Sequence, residues 1–120
     1  RFRLGSGHPK LLAVIAQMEE NLEEPLSYAG LATSVGLSTR HLERLFQRYF
    51  DKTPTRYYLE LRLNRARQLL VQTSLSITAV ALACGFISAS HFTKSYRGYF
   101  GHTPRAERRQ PEPETALIHK

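Results

Sequence analysis

Placed at about 100° per residue, Arg40, Arg44 and Gln47, flanked by Glu43 and Arg48, fall on one side of a segment. Leu42, Leu45, Phe46 and Tyr49 take the other side. Arginine forks match guanine O6 and N7, so the polar side has the chemistry to read base edges in a duplex groove. Glu43 has two uses, accepting from cytosine N4 or holding a neighbouring arginine, and the sequence leaves both open. A later segment repeats the arrangement, with Phe92, Tyr96 and Tyr99 inward, Ser90, Lys94 and Arg97 outward, and His91 and Thr93 on the flanks. Position by position, Arg40 corresponds to Ser90, Glu43 to Thr93, Arg44 to Lys94 and Gln47 to Arg97. The second set is shorter and less charged. The first is therefore expected to carry more base discrimination, and the second more hydroxyl, methyl and phosphate contacts. The ordinary alternative for any one of them is a solvated surface charge; Arg44 and Lys94 stand at the centres of their faces.

The elements that position these residues occur twice. Leu26–Pro54 (LSYAGLATSVGLSTRHLERLFQRYFDKTP) is echoed by Leu75–Pro104 (LSITAVALACGFISASHFTKSYRGYFGHTP), matching Ser27 with Ser76, Ala32 with Ala81, Gly36 with Gly85 and Phe50 with Phe100. The offset is 49 residues at the glycines and 50 at Pro54 and Pro104, so the second copy carries one extra residue, near Ile87, between turn and helix. In each copy a serine caps a short helix, Ser27 for Tyr28–Val35 and Ser76 for Ile77–Cys84, and a glycine supplies the turn. Ser38 then caps Thr39–Phe50, and Ser88 a helix running to about Phe100. Small Ala32 with apolar Leu31, Val35, Leu37, Leu42 and Leu45 fits a helix-turn-helix unit.

Before the first unit, Pro9 opens a helix with Leu11, Ile15, Met18 and Leu22 on one side, ending before Pro25. Its late residues Glu19, Glu20, Glu23 and Glu24 would be repelled by phosphate or form an ordinary solvated face. A long helix from about Thr55 to Gln72, with Leu59, Leu63, Ala66 and Leu70 on one side, joins the units. At ~1.5 Å per residue it spans about 27 Å, comparable with the ~34 Å of a DNA turn once the units' widths are added. The expected fold is all-α, two helix-turn-helix subdomains joined by a long helix, about seven helices in all. Residues 9–109 form the domain (units 9–54 and 75–108, connecting helix 55–72), between a linker remnant at 1–8 and a flexible tail at 110–120. The linker-like opening without Met suggests a fragment of a longer protein. Helix N-termini at Ser27, Ser38, Ser76 and Ser88, with Arg48, Arg56, Arg62 and Arg105, are the candidate phosphate contacts. Thr53-Pro54 and Thr103-Pro104 are expected to shape turns that end each unit, and Arg108 and Arg109 to touch a nucleic-acid backbone loosely or nothing.

Composition narrows the partner. Seventeen Lys and Arg against ten acids give a net charge of +7 in 120 residues, which favours a polyanion. Nucleic acid leads and an anionic membrane surface follows. No apolar run approaches the roughly 18 residues of a spanning helix. Cys84 is the one cysteine, in the place of Val35, where a small apolar group is wanted. The five histidines lack ligand spacing, and no carboxylate pair, nucleophile motif or phosphate loop accompanies them, so neither an enzyme nor a metal or cofactor is expected. A non-specific nucleic-acid-binding or helical protein-docking module remains the alternative, although no exposed aromatics offer base stacking.

In these residues the chain resembles the DNA-binding domain of the AraC/XylS family of bacterial transcription regulators, over about Pro9 to Arg108. The stretches LATSVGLSTRHLERLF, YYLELRLNRARQLL, ACGF and SHF are most similar to the subgroup with an upstream amidotransferase-like (DJ-1/PfpI-like) domain, regulators often linked to catabolism of arginine, carnitine or glycine betaine. The resemblance implies binding to an asymmetric site through two adjacent major-groove segments, often as half of a dimer, and contact with RNA polymerase in activators. It implies Arg40, Glu43, Arg44, Ser90, His91 and Lys94 as base readers, a sensing domain upstream, and a cytoplasmic place on the bacterial nucleoid. Family members often carry a bulkier or amide side chain where Arg40 and Ser90 stand.

Overall fold

The computed structural model describes residues 8–109; the expectations for the linker at 1–7 and the tail at 110–120 lie outside them. The described residues form seven helices and no strand: α1 (Pro9–Glu20), α2 (Tyr28–Ser34), α3 (Thr39–Phe50), α4 (Pro54–Gln72), α5 (Ile77–Ala83), α6 (Ala89–Phe100) and α7 (Pro104–Arg109). The chain divides into two compact units between Leu61 and Arg62, within α4 and not at its ends. Tyr57, Tyr58 and Leu61 from the first part of α4 pack into the core of the first unit with Leu11, Met18, Leu31, Leu42 and Phe46. Leu63, Ala66 and Leu70 from its second part are buried in the second unit, as are Val80, Cys84, Phe86, Phe92 and Tyr96.

Local chemistry sets the helix ends. His8, assigned from the sequence to the linker, is the N-cap of α1: its Nδ1 accepts from the Leu11 amide at 3.4 Å, and Pro9 follows where no amide is needed. That helix stops at Glu20, short of Pro25, because Asn21 leaves helical geometry and turns its side-chain amide back to the Gln17 carbonyl at 2.8 Å. Ser27, Ser38, Ser76 and Ser88 cap α2, α3, α5 and α6, each hydroxyl accepting from the amide three residues on at 3.0–3.1 Å. The two turns are built alike. Gly36 (φ 73°) and Gly85 (φ 82°) adopt the left-handed region, and the following amides, of Leu37 and Phe86, return to the carbonyls of Ala32 and Ala81 at 2.9 Å.

Thr53-Pro54 and Thr103-Pro104 open helices instead of closing units. The threonine hydroxyls accept from the amides of Arg56 and Ala106 at 3.0 and 3.1 Å, and each proline takes the first helical position, where its missing N–H costs nothing. The helix that each pair starts completes a unit: the first turns of α4 in one, α7 in the other.

Candidate nucleic-acid interface

In α3 the amphipathic division read from the sequence is present. Leu42, Leu45 and Phe46 are buried and Tyr49 is half-buried, whereas Arg40, Glu43, Arg44, Gln47 and Arg48 are exposed. Among the described residues Arg40 and Arg44 have no carboxylate partner, so their guanidiniums are available to an external anion or base edge. Gln47 is held differently: its amide donates to Asp51 Oδ1 at 2.6 Å, one turn on, where Asp51 ends the helix with φ 57°. Glu43 lies near Tyr28 on α2, and burial, reinforced by that carboxylate, pushes the Tyr28 phenol up to about 12. Neither use foreseen for Glu43 included a tyrosine. Tyr28 thereby brings the first helix of the turn beside the reading face of the second.

In α6, Phe92 and Tyr96 are buried, Tyr99 is half-buried, and Ser90, His91, Lys94 and Arg97 are exposed, with Thr93 half-buried beside them. Ser90, Thr93, Lys94 and Arg97 line one shallow, open depression with Ala89 and Gly98. Gly98 corresponds to Arg48 in the duplication; a Cβ there would meet nothing within 4 Å, so the glycine leaves this face open. The ring of His91 lies 5.7 Å from that of Phe86, anchoring one side of the face.

The proposed phosphate ligands fall into three environments. Arg48, 6.0 Å from the Tyr49 ring, and Arg105 on α7 are exposed. Arg56 donates to Glu60 at 2.9 Å, and Lys52 pairs with the same carboxylate at 2.6 Å; burial opposes ionisation there, but the two cations hold the Glu60 carboxyl below its usual range. Arg62 is a structural clamp. Its Nε and Nη2 donate to the carbonyls of Cys84 and Gly85, both at 2.9 Å, and its guanidinium stacks 4.4 Å from the Phe86 ring, so it fixes the turn that leads into α6. Cys84 is fully buried in that turn, and burial, only partly opposed by Arg65 and Arg62, pushes its thiol up to about 11. It acts as the small apolar residue its position requires.

Three supporting groups escaped the sequence reading. Arg108, expected to touch a nucleic-acid backbone loosely or nothing, donates to the carbonyls of Leu70, Thr73 and Leu75, tying α7 to the segment that precedes α5. Tyr58, at the matching place in the first unit, does the same work by other chemistry: its hydroxyl donates to the Asn21 carbonyl and accepts from the Leu26 amide at 3.0 Å. Glu107 is buried, with Oε1 bonded to the Tyr96 hydroxyl and to His102 Nε2, both at 2.7 Å, and paired with Arg67 at 3.3 Å. In the first unit the corresponding position is Tyr57, whose ring packs 5.3 Å from Phe46 and 4.6 Å from Phe50. One copy fills this place with an aromatic cluster and the other with a satisfied polar knot. A lone Glu among arginines carries no sequence signal for such burial.

Among the described residues no group of three His, Cys, Asp or Glu side chains could hold a metal ion, and no helix is long and apolar enough to cross a membrane. A family model described as a helix-turn-helix domain matches residues 31–110. The HTH-type transcriptional regulator ArgR of Pseudomonas aeruginosa is 55% identical over 108 residues, which are 90% of this chain and 33% of that protein. The chain thus spans about a third of the length of the relatives it matches. Among solved structures, an AraC-type DNA-binding-domain regulator from Chromobacterium violaceum superposes with a TM-score of 0.86 at 55% identity, covering 91% of this chain and 98% of that one. The DNA-binding domain of AdpA, solved in complex with a target DNA, superposes with a TM-score of 0.77 at 30% identity over 82% of this chain and 88% of its own.

Proposed function

The chain belongs to the AraC/XylS family of helix-turn-helix transcription regulators, and from that premise we propose that it reads an asymmetric duplex site by inserting α3 and α6 into adjacent major-groove segments. One observation carries the reading. Two helices with matching caps and matching glycine turns each turn outward a face whose central cations, Arg44 and Lys94, have no carboxylate partner among the described residues. On this reading Arg40, Glu43, Arg44 and Gln47 meet base edges in one segment, and Ser90, His91, Thr93, Lys94 and Arg97 in the other. Arg48, Arg105 and the first turns behind Ser27, Ser38, Ser76 and Ser88 supply phosphate contacts, to which Arg56 contributes from its ion pair. Arg62 contributes by holding the α5–α6 turn.

In the full-length protein, the domain works with an upstream effector-sensing domain, pairs with a second copy on the DNA, and recruits RNA polymerase to a catabolic operon on the bacterial nucleoid. The length of the relatives leaves room for such a domain. Footprinting on the host's own promoters tests the DNA reading: two protected patches one helical turn apart are expected. A single patch would remove one of the two insertions. Competition of the bound duplex by RNA of the same sequence tests the class of partner; equal competition would favour a non-specific nucleic-acid module.

A further inference from the structure

The extra residue of the second copy adds no side chain to the core. In the first unit Leu37 directly precedes the cap Ser38 and is packed against the core that contains Leu42, a staple across the start of α3. In the second unit Phe86 takes that role: it is buried, with its ring 5.1 Å from that of Phe92. The turn closes on Phe86, as it closes on Leu37, before the inserted residue is reached. Ile87 therefore stands between a completed turn and the cap Ser88, and it is 87% exposed, far more than any other large apolar side chain described. The insertion also changes how the chain enters the helix, since the cap φ is −76° at Ser38 but −157° at Ser88.

We propose that Ile87 is a base-specificity residue of the second unit, packing against a thymine C5-methyl at the edge of the segment entered by α6. The inference rests on the proposed entry of α6 into a major groove. A recognition helix contacts base edges with its N-terminal residues, and Ile87 immediately precedes that end of a helix carrying Lys94 and Arg97 outward. The thymine methyl is the one apolar group that a base pair displays in the major groove, so it is the chemistry an exposed branched aliphatic side chain can recognise there. Leu37, packed into its own core, cannot make the equivalent contact in the first unit.

The test uses a duplex selected by the chain from a random-sequence pool, then resynthesised with deoxyuridine at each thymine in turn, which removes only the methyl. The selected site should contain a thymine at the edge of one half. Its replacement should weaken binding about fourfold, the effect of one buried methyl. Ile87→Ala should weaken binding to the thymine duplex similarly and abolish the difference between thymine and uracil at that one position. Circular dichroism and the thermal midpoint should be unchanged. No thymine at the edge, or equal uracil effects in parent and variant, overturns the assignment. If Lys94→Ala also leaves specific affinity intact, the entry of α6 itself has failed; if Lys94→Ala weakens binding and only the Ile87 coupling is missing, the failure belongs to Ile87 alone. Unchanged DNA affinity with lost transcription in Ile87→Ala would assign the side chain to a protein partner and overturn the thymine contact.

Discussion

At the scale of single residues, the candidate readers differ in how firmly the fold holds them. Gln47 is tied to Asp51 and Glu43 lies near the Tyr28 phenol, whereas Arg40, Arg44 and Lys94 have no carboxylate partner among the described residues. A held side chain gives up little rotamer entropy on meeting a base, but its existing partner competes with the new one. The free arginines pay that entropy and gain undiluted charge-assisted bonds. Arg44→Ala should therefore weaken specific duplex binding by about 1–3 kcal/mol and relax preference at one or two adjacent base pairs, as measured by fluorescence anisotropy on a panel of single-base variants. A uniform loss across the panel would make Arg44 a phosphate contact. Tyr28→Phe removes the hydroxyl near Glu43 without touching the groove face; it should shift preference at the position Glu43 meets while leaving affinity for unrelated DNA unchanged. If Glu43 meets no base, the panel will not distinguish the variant from the parent.

At the scale of elements, caps, turns and helix faces were legible because they are local: serine three residues before the amide it satisfies, glycine where φ must be positive, apolar residues at helical spacing. What stayed hidden are bonds between segments distant in sequence, chiefly side chains reaching backbone carbonyls, such as Arg62 to Cys84 and Gly85, Arg108 to Leu70 and Thr73, and Tyr58 to Asn21. Their targets are groups that every residue carries, so no residue type announces them. For the same reason the first turns of α4 read as part of a connector, and Thr103-Pro104 as a turn that ends a unit, although the first turns of α4 and the whole of α7 each lock a unit together. Removing either lock should be costly. Tyr58→Phe deletes one donor and one acceptor, and should destabilise the first unit by about 1–3 kcal/mol in urea unfolding because a carbonyl and an amide lose their partner. The knot at Glu107 makes the second unit sensitive to acid. Burial pushes its carboxyl upward, but the bonds from Tyr96 and His102 and the charge of Arg67 prevail and hold it below the ordinary 4.5. Because the folded value is the lower one, its contribution is complete above 4.5 and fades as pH falls through the folded value. Unfolding midpoints at about pH 6 and about pH 3.5 should therefore differ more in the parent than in Glu107→Gln, the excess being the share of this one carboxylate. Equal slopes would mean that the knot is already protonated or open in the native state.

At the scale of the whole molecule, a net charge of +7 and two unlike reading faces make separable predictions about affinity and specificity. Affinity should fall steeply with salt: neutralising about six phosphates gives a log–log slope of about −5, and Arg105→Ala should reduce its magnitude by about one if that side chain meets the backbone. Specificity depends instead on how the copies have diverged. They agree at caps and turns, yet Arg40, Glu43, Arg44 and Gln47 face outward in one where Ser90, Thr93, Lys94 and Arg97 do in the other. Arg48 likewise stands where the second unit has Gly98, and Ile87 has no counterpart in the first unit. The preferred site should therefore have two dissimilar halves. If the outward faces carry that difference, the combined variant Arg40→Ser, Glu43→Thr, Arg44→Lys and Gln47→Arg should select a site whose halves resemble each other except at the base pair next to Ile87. The four positions are exposed, so the fold should tolerate the exchange within about 1 kcal/mol. Persistence of two unrelated halves would locate the discrimination outside these four positions. The difference would then lie in the altered entry into α6 or in the sequence-dependent shape of the DNA.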